Sequence, residues 1–471
     1  MRGVHHPAPF WIMACCLALS GCAVGPAYKR PVTAVPAAWT TAGVAGEWPA
    51  AQWWHAFADL ELDRLEDQAL ANNHDLKAAV ARISQAAAQA RIAGADLNPM
   101  LTVEAESGRA KPFSKGGQQT VQRYNYHQLG LTASYVVDLF GENRSKAQAG
   151  LAALNAARFD GDAVRLALSA AVANSYFELS AVDARMKIAQ DMVDMAKTTV
   201  RLLEIQRDNG SASGQQLAQQ RSELATIEAN LATLETQRRQ VATTLALLVG
   251  VLPQGLAVSP AALESLATPT PPAGLPSELL KHRPDVARAE AALVGANADV
   301  RAATAALYPQ ISLTAQGGYG SLALSQIFQP ASSFYNLFAG LTAPLFEGGR
   351  LKGRRDYAEA RYDELTETYQ QAVLAAFADT QNALDAQQQT SLGLERRAES
   401  SRQAMRAAQL ADVQYRAGAI SYLVLLDSQR TAFAAQDALA QARLTRLQSS
   451  VAVYQALGGG WSVSESASLP N

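Results

Sequence analysis

The sequence predicts a mostly helical protein made of one unit written twice, with four β-strands suited to a membrane barrel that several chains complete. Three observations predict it. Landmark residues recur in one order with a period of roughly 210 residues, far longer than a solenoid repeat. Four segments alternate apolar and polar residues with period two. Long proline-free stretches exceed what any compact domain needs.

The chain opens with Arg2 and a short apolar run, Phe10 to Leu19. That run is too short for a membrane helix and reads as the core of a secretory signal over residues 1–21. It ends in Leu19-Ser20-Gly21-Cys22, which has the form of a lipobox. Cys22 is the expected lipidation site and mature N-terminus, and acyl chains there would anchor the protein to a membrane surface. An ordinary signal with a chance cysteine is the alternative; the place of the tetrapeptide, directly after the apolar run, favours lipidation. Ala23 follows where an aspartate often marks inner-membrane retention, so outer-membrane sorting is expected. Cys15, Cys16 and Cys22 are the three cysteines of the sequence. The mature chain is thus expected to hold no disulfide and no cysteine metal site.

The repeat shows in five landmarks. His74-Asp75 and Pro284-Asp285 open helical stretches, which Leu97-Asn98-Pro99 and Leu307-Tyr308-Pro309 end; the residue before a proline avoids the helical region. Asp138-Leu139-Phe140-Gly141 answers Pro344-Leu345-Phe346-Glu347-Gly348-Gly349-Arg350. Asp208-Asn209-Gly210 answers Arg416-Ala417-Gly418, and Leu248-Val249-Gly250 answers Ala456-Leu457-Gly458. Each copy reads helix, strand, strand, long helix, helix.

The strands come next. Leu101, Val103 and Ala105 alternate with Thr102, Glu104 and Glu106. Leu129, Leu131, Ala133, Tyr135 and Val137 alternate with Gln128, Gly130, Thr132 and Ser134. In the second copy Ile311, Leu313 and Ala315 alternate with Ser312, Thr314 and Gln316. Tyr335, Leu337, Ala339, Leu341 and Ala343 form the fourth apolar set. Roughly ten residues each matches a transmembrane β-strand. A half-buried strand of a soluble sheet alternates identically; the outer-membrane address and the lack of an apolar partner layer favour the membrane. Four strands cannot close a barrel, and open edges in lipid cost several kcal/mol per unpaired group. Spanning strands therefore require other chains, in a number the strands leave open. The segment from Arg109 to Tyr126 is expected to be an extracellular loop.

The long helices follow. No proline lies between Gly141 and Asn209, so about 68 residues at roughly 1.5 Å each would reach about 100 Å. The next helix carries a heptad seam of Leu217, Leu224, Leu231, Arg238 and Leu245, interleaved with Ile227, Leu234, Val241 and Leu248. The second copy places Leu425, Ala432, Leu439, Arg446 and Val453 on the matching stripe. A sustained seven-residue period predicts coiled-coil packing.

Composition excludes several functions. The formal net charge of −2 offers no basic surface for nucleic acid. The six histidines have no metal-ligand spacing in the mature chain. No GxSxG, P-loop or HExxH pattern appears, so neither an enzyme nor a cofactor site is expected.

The chain resembles the outer-membrane factor family of tripartite efflux systems, in its TolC-like, NodT-type lipoprotein branch. The resemblance covers essentially the whole mature chain. It rests on Cys22-Ala23-Val24-Gly25-Pro26, on Trp53-Trp54-His55-Ala56-Phe57 with Asn73-His74-Asp75-Leu76, on His282-Arg283-Pro284-Asp285-Val286, on Pro344 to Arg350, and on Tyr415-Arg416-Ala417-Gly418 with Tyr422 to Arg430. It implies a homotrimer with a twelve-stranded β-barrel, a long antiparallel coiled-coil α-barrel across the periplasm, and a mixed equatorial belt. It divides the chain into a signal (1–21), a lipidated segment and belt (22–72), a first repeat (73–250), a proline-rich linker (251–283), a second repeat (284–458) and a tail (459–471). It implies a passive efflux duct in the outer membrane, serving a periplasmic adaptor and an inner-membrane transporter of the RND type, with drugs or other toxic small molecules as cargo. A protein-secretion duct is the rival within the class and a coiled-coil tether the rival outside it; a tether needs no strands. Few methionines and no His/Met clusters disfavour a dedicated copper or silver system.

By resemblance, the helix turns at Gly210 and Gly418 form the periplasmic tips that dock the adaptor. Leu423, Asp427 and Arg430 match the constriction, and their spacing places them on one helical face. Three copies of Asp427 would form an acidic ring that favours cations. Leu423 would add an apolar narrowing, and Arg430 would pair with a carboxylate. Ile420, Gln216 and Gln219 stand where some members carry charged residues, so gate bonds made there in relatives are not expected here.

Overall fold

The computed structural model describes residues 24–41, 48–111 and 123–461. Cys22 and the signal fall outside the described residues, as do the tip of the first strand loop and the end of the tail. In chain order the main elements are α1 (Leu60–Asn72), α2 (His74–Ala95), β1 (Met100–Ala110), β2 (Tyr124–Val137), α3 (Glu142–Asp208) and α4 (Gly214–Val249). The second copy supplies α5 (Pro284–Ala305), β3 (Gln310–Ser321), β4 (Ser333–Thr342), α6 (Arg350–Arg416) and α7 (Tyr422–Ala456).

The two copies agree in length as well as order. α2 and α5 each have 22 residues, and α3 and α6 each have 67. α4 packs along α3 and α7 along α6. The seam residues Leu217, Ile227, Leu234, Val241 and Leu245 are buried, as are Leu425, Ala432 and Val453. The two seam arginines fare differently. Arg238 pairs with Asp183 of α3 at 2.6 Å. Arg446 is 5% exposed and, among the described residues, its guanidinium finds only hydroxyls, those of Ser450 and Thr270; burial pushes its pKa down.

The four strands form one antiparallel sheet in the order β1-β2-β3-β4. Residues directly opposite share a face, and the register is continuous: Val103 faces Leu131, Leu131 faces Gly317, and Gly317 faces Tyr335. All four apolar sets anticipated from the sequence therefore lie on one side of the sheet. Leu101, Val103, Leu337 and Leu341 are each more than 60% exposed there, with no second layer against them. The other side carries Thr102, Glu104, Glu106, Gln128, Thr132, Gln316 and Asn336, with Val136, Phe334 and Phe338 among them. β1 and β4 each have one unpaired edge within the chain. The strands run further than alternation suggested. β1 continues to Ala110 and β2 begins at Tyr124, so the loop is shorter than Arg109 to Tyr126, and Arg109 pairs with Asn125 inside the sheet.

The belt sits against the middle of the long helices. Trp53, Trp54, Phe57, Leu62 and Leu65 pack with Leu263 and Leu266 of the linker on Val172, Tyr176 and Phe177 of α3. Asp59 caps α1 through the Leu62 N–H at 2.8 Å and accepts the Tyr176 hydroxyl at 2.9 Å. That hydroxyl accepts the Ala261 N–H at 3.0 Å, which ties the linker to the belt. The N-terminal segment runs from the strand end to the belt: Val24 donates to the Phe140 carbonyl at 3.2 Å, Arg30 pairs with Glu290 at 2.6 Å, and Trp39 donates to the Gly274 carbonyl at 3.1 Å. No described helix is long and apolar enough to cross a membrane.

Candidate functional site at the helical tips

Both long helices reverse at a left-handed glycine, Gly210 at φ +73° and Gly418 at φ +71°. That conformation is nearly free for glycine and strained for other residues. After the first turn Ser213 starts α4 with a capping box: its hydroxyl accepts the Gln216 N–H at 3.2 Å, and the Gln216 side chain accepts the Ser213 N–H at 2.8 Å. Gln216, marked in the sequence as a lost charge, thus closes a helix end. The second turn has no such cap at Ser421.

An aromatic cluster holds the two hairpins together. Leu203, Leu217, Tyr422 and Leu426 form a buried group. Tyr415 meets Tyr422 edge-on with ring centroids 6.2 Å apart, a favoured aromatic geometry. The Tyr415 hydroxyl donates to Gln206 at 3.2 Å, and the Tyr422 hydroxyl donates to Gln220. Burial pushes the Tyr422 phenol up to about 12, so it remains a donor. Each bond joins one copy of the repeat to the other.

The three residues anticipated at the constriction lie on α7 just past this cluster. Leu423 is 60% exposed, and Asp427 and Arg430 are exposed as well. Leu423 and Asp427 are one turn apart, and Asp427 has no hydrogen-bond or ion-pair partner among the described residues. Arg430 turns to α4, where its Nε donates to Glu223 at 2.8 Å and its second nitrogen contacts the same carboxylate. Glu223 is well shielded, with 15% of its side chain exposed. That hydrogen bond, with the attraction of Asp427 added, raises the Arg430 pKa. Sequence reasoning named Leu423, Asp427, Arg430 and both glycines but missed Glu223, Gln220 and Gln206. These partners lie some two hundred residues away, where no periodicity connects them.

The arrangement offers no reactive chemistry. Among the described residues no group of three or more His, Cys, Asp or Glu could hold a metal ion. The structure offers walls: a strip of sheet, two long rods and a polar tip.

Comparison with known proteins supplies the family. Residues 65–251 and 275–459 match the family model described as outer membrane efflux protein, one matched segment spanning each half of the doubled element order. The chain is 41% identical to the pyoverdine export outer membrane protein OpmQ of Pseudomonas aeruginosa over 458 residues, 96% of each chain. It is 32% identical to the cation efflux system protein CusC of Escherichia coli over 454 residues, 94% of this chain and 97% of that one. Its fold superposes on the outer-membrane channel OprN with a TM-score of 0.88 at 31% identity, covering 93% of this chain and all of the other. The chain is an outer-membrane channel component of efflux and not an enzyme; it belongs to the outer membrane efflux protein family.

Proposed function

We propose that the chain is the passive exit duct of a tripartite efflux pump, assembled as a trimer and anchored by lipid at Cys22. The sheet carries this reading. Its apolar side is bare, its other side is mainly polar with Val136, Phe334 and Phe338 among its residues, and both edges lack partners within the chain. In lipid such a sheet is stable only when other copies close it, apolar side outward. Three copies give twelve strands. The rods below continue the wall toward the periplasm, where a periplasmic adaptor and an inner-membrane transporter of the RND type would meet the tips at Gly210 and Gly418. The higher identity to a protein named for pyoverdine export than to one named for cation efflux favours organic small molecules as cargo, drugs or other toxic compounds among them.

At the tip, three copies of Leu423 and Asp427 would face the axis as an apolar ring and an acidic ring. The acidic ring would select cations and the apolar ring would resist wetting. The Arg430–Glu223 pair would hold the tip narrow.

The hypothesis is tested on detergent-extracted protein by mass and by planar-bilayer conductance. A trimer with cation-preferring, low-conductance openings is expected. A monomeric particle that passes no current would overturn it.

A further inference from the structure

The two copies repeat contacts as well as elements. Gly161 of α3 receives Ile83 of α2, whose Cδ1 lies 3.0 Å from where a Cβ would stand. In the second copy Tyr369 of α6 and Leu293 of α5 hold the same two places in one core cluster. Gly250 closes on the carbonyl of Asn72, and Gly458 closes on that of His282. Correspondence between the copies is therefore set residue by residue: Glu142 with Arg350 along the long helices, His74 with Pro284 along the short ones.

The contact of α3 with α5 has no counterpart within the chain. Within the chain α5 lies along α3 and joins the first copy to the second. There Ala152 Cβ is 3.5 Å from the Cβ position of Gly295, Arg301 donates to Gln148 at 3.2 Å, and Phe159 packs on Ala287 and Ala291. The matching pair, α2 along α6, makes no substantial contact within the chain. The positions it would use are open. Ala152 and Phe159 are buried, whereas their counterparts Ala360 and Glu367 are exposed. On α2, Lys77, Ala81, Gln85 and Arg91, counterparts of Ala287, Ala291, Gly295 and Arg301, are all exposed.

We propose that α6 of one copy binds α2 of the next through this vacant seam, with Glu367 opposite Lys77 and Asp356 opposite Arg91. The proposal rests on the trimeric reading above. Substituting corresponding residues turns the apolar Phe159–Ala287 contact into Glu367–Lys77. It turns the Gln148–Arg301 hydrogen bond, in which only the arginine is charged, into the ion pair Asp356–Arg91. Both replacements bring opposite charges together, as a selected interface requires and a merely solvated face does not. Within the chain Lys77, Arg91 and Glu367 have no ionic partner among the described residues, and Asp356 meets only its neighbour Arg355. The sheet agrees: β2 and β3 join the copies inside the chain, which leaves β4 to join β1 of the next subunit. Every subunit boundary then repeats the internal one, with ion pairs in place of part of its apolar packing. Such pairs add less affinity than choice of neighbour and register.

The test uses the full chain in outer-membrane preparations. Ala152 and Gly295 set the counterpart Cβ separation of Ala360 and Gln85 near 3.5 Å, within the range of a disulfide. No cysteine follows Cys22 in the sequence, so introduced thiols stand alone. Under mild oxidation the Gln85→Cys/Ala360→Cys variant should give dimer and trimer bands that reductant collapses, and neither single variant should. Absence of those bands from particles of trimer mass would overturn the seam and leave the trimer standing. Particles of monomer mass would overturn both. Independently, Lys77→Glu and Glu367→Lys should each lower trimer yield several-fold, and the double exchange should restore it. A double variant no better than the singles would remove the Lys77–Glu367 pairing.

Discussion

The guanidinium of Arg430 on α7 rests on the carboxylate of Glu223 on α4, so one ion pair spans the two copies of the repeat at the tip. Glu223→Gln breaks the charge and keeps the shape. A partly exposed pair of this kind is worth about 1 kcal/mol after screening by solvent and salt. Three such pairs per trimer would bias the closed tip by about 3 kcal/mol, or on the order of a hundredfold in the opening equilibrium. Bilayer recordings on Glu223→Gln should show more frequent or larger openings, and wild-type gains in high salt should be larger than those of the variant. Unchanged openings would remove the pair from the gate.

Asp427 is exposed one turn beyond Leu423 and, among the described residues, unpaired. Asp427→Asn should reduce cation preference, measured as reversal potential across a salt gradient, and leave trimer yield unchanged. A reversal potential equal to that of the wild type would place Asp427 off the conduction path.

Glu66 of α1 is fully buried, and neither of its carboxylate oxygens has a hydrogen-bond partner among the described residues. Burial pushes its pKa up to about 9. The folded chain thus holds this proton more tightly than the unfolded chain does. The associated stability is fully present below the ordinary carboxylate range and is lost as pH rises towards about 9. Glu66→Gln should raise the melting temperature of the detergent-solubilised protein at pH 8 by an amount worth on the order of 1–3 kcal/mol. At pH 5 it should change little. Parallel melting curves for the two proteins across that range would contradict this account.

Two glycines with the same backbone sign should respond differently to alanine. At Gly458 a Cβ would stand 1.7 Å from the His282 carbonyl oxygen; at Gly418 nothing lies within 4 Å. Gly418→Ala bears only the left-handed backbone strain, about 1–2 kcal/mol. Gly458→Ala must also push the linker off the end of α7, and is expected to cost about 3 kcal/mol or more. Protease resistance of the folded trimer is the measurement. Equal losses would mean that the close approach at Gly458 relaxes freely.

The Val24 N–H bonds the Phe140 carbonyl, three residues past the end of β2. That contact puts Val24, the first described residue, beside the end of the sheet from which the long helix α3 starts. Cys22→Ser should abolish labelling by radioactive palmitate and slow trimer appearance, with residual insertion through the strands. Full labelling of the variant would refute the lipid assignment.

Much of this architecture is written locally. Alternation alone placed all four apolar sets on one face, because period two has only two outcomes; Val136, Phe334 and Phe338 fall outside those sets and lie on the other side. The heptads located the buried stripe of α4 and α7, because residues seven apart return to the same helix face. What escaped depended on distant chain. Glu223 was anonymous among the acids of α4 until α7 brought Arg430 to it. Gln216 read as a missing charge and is a cap. Arg238 and Arg446 occupy one seam position, but only Arg238 finds an acid, since Asp183 has no equivalent near Arg446. The strands outran their expected ends because nothing between Ala105 and Ala110 forbids pairing, and only the opposite strand decides where a ladder stops.

The equal spans of α3 and α6, 67 residues apiece, bear on how such a duct can change over generations. One residue inserted in α3 alone would lift its hairpin by about 1.5 Å and turn it by about 100°, tilting that hairpin out of the common plane and its seam out of phase. Indels in these rods should therefore be inherited in synchrony across both halves of the gene, in steps of seven codons. Duct length then evolves by discrete increments, and a lineage bridging a wider envelope must lengthen twice or not at all.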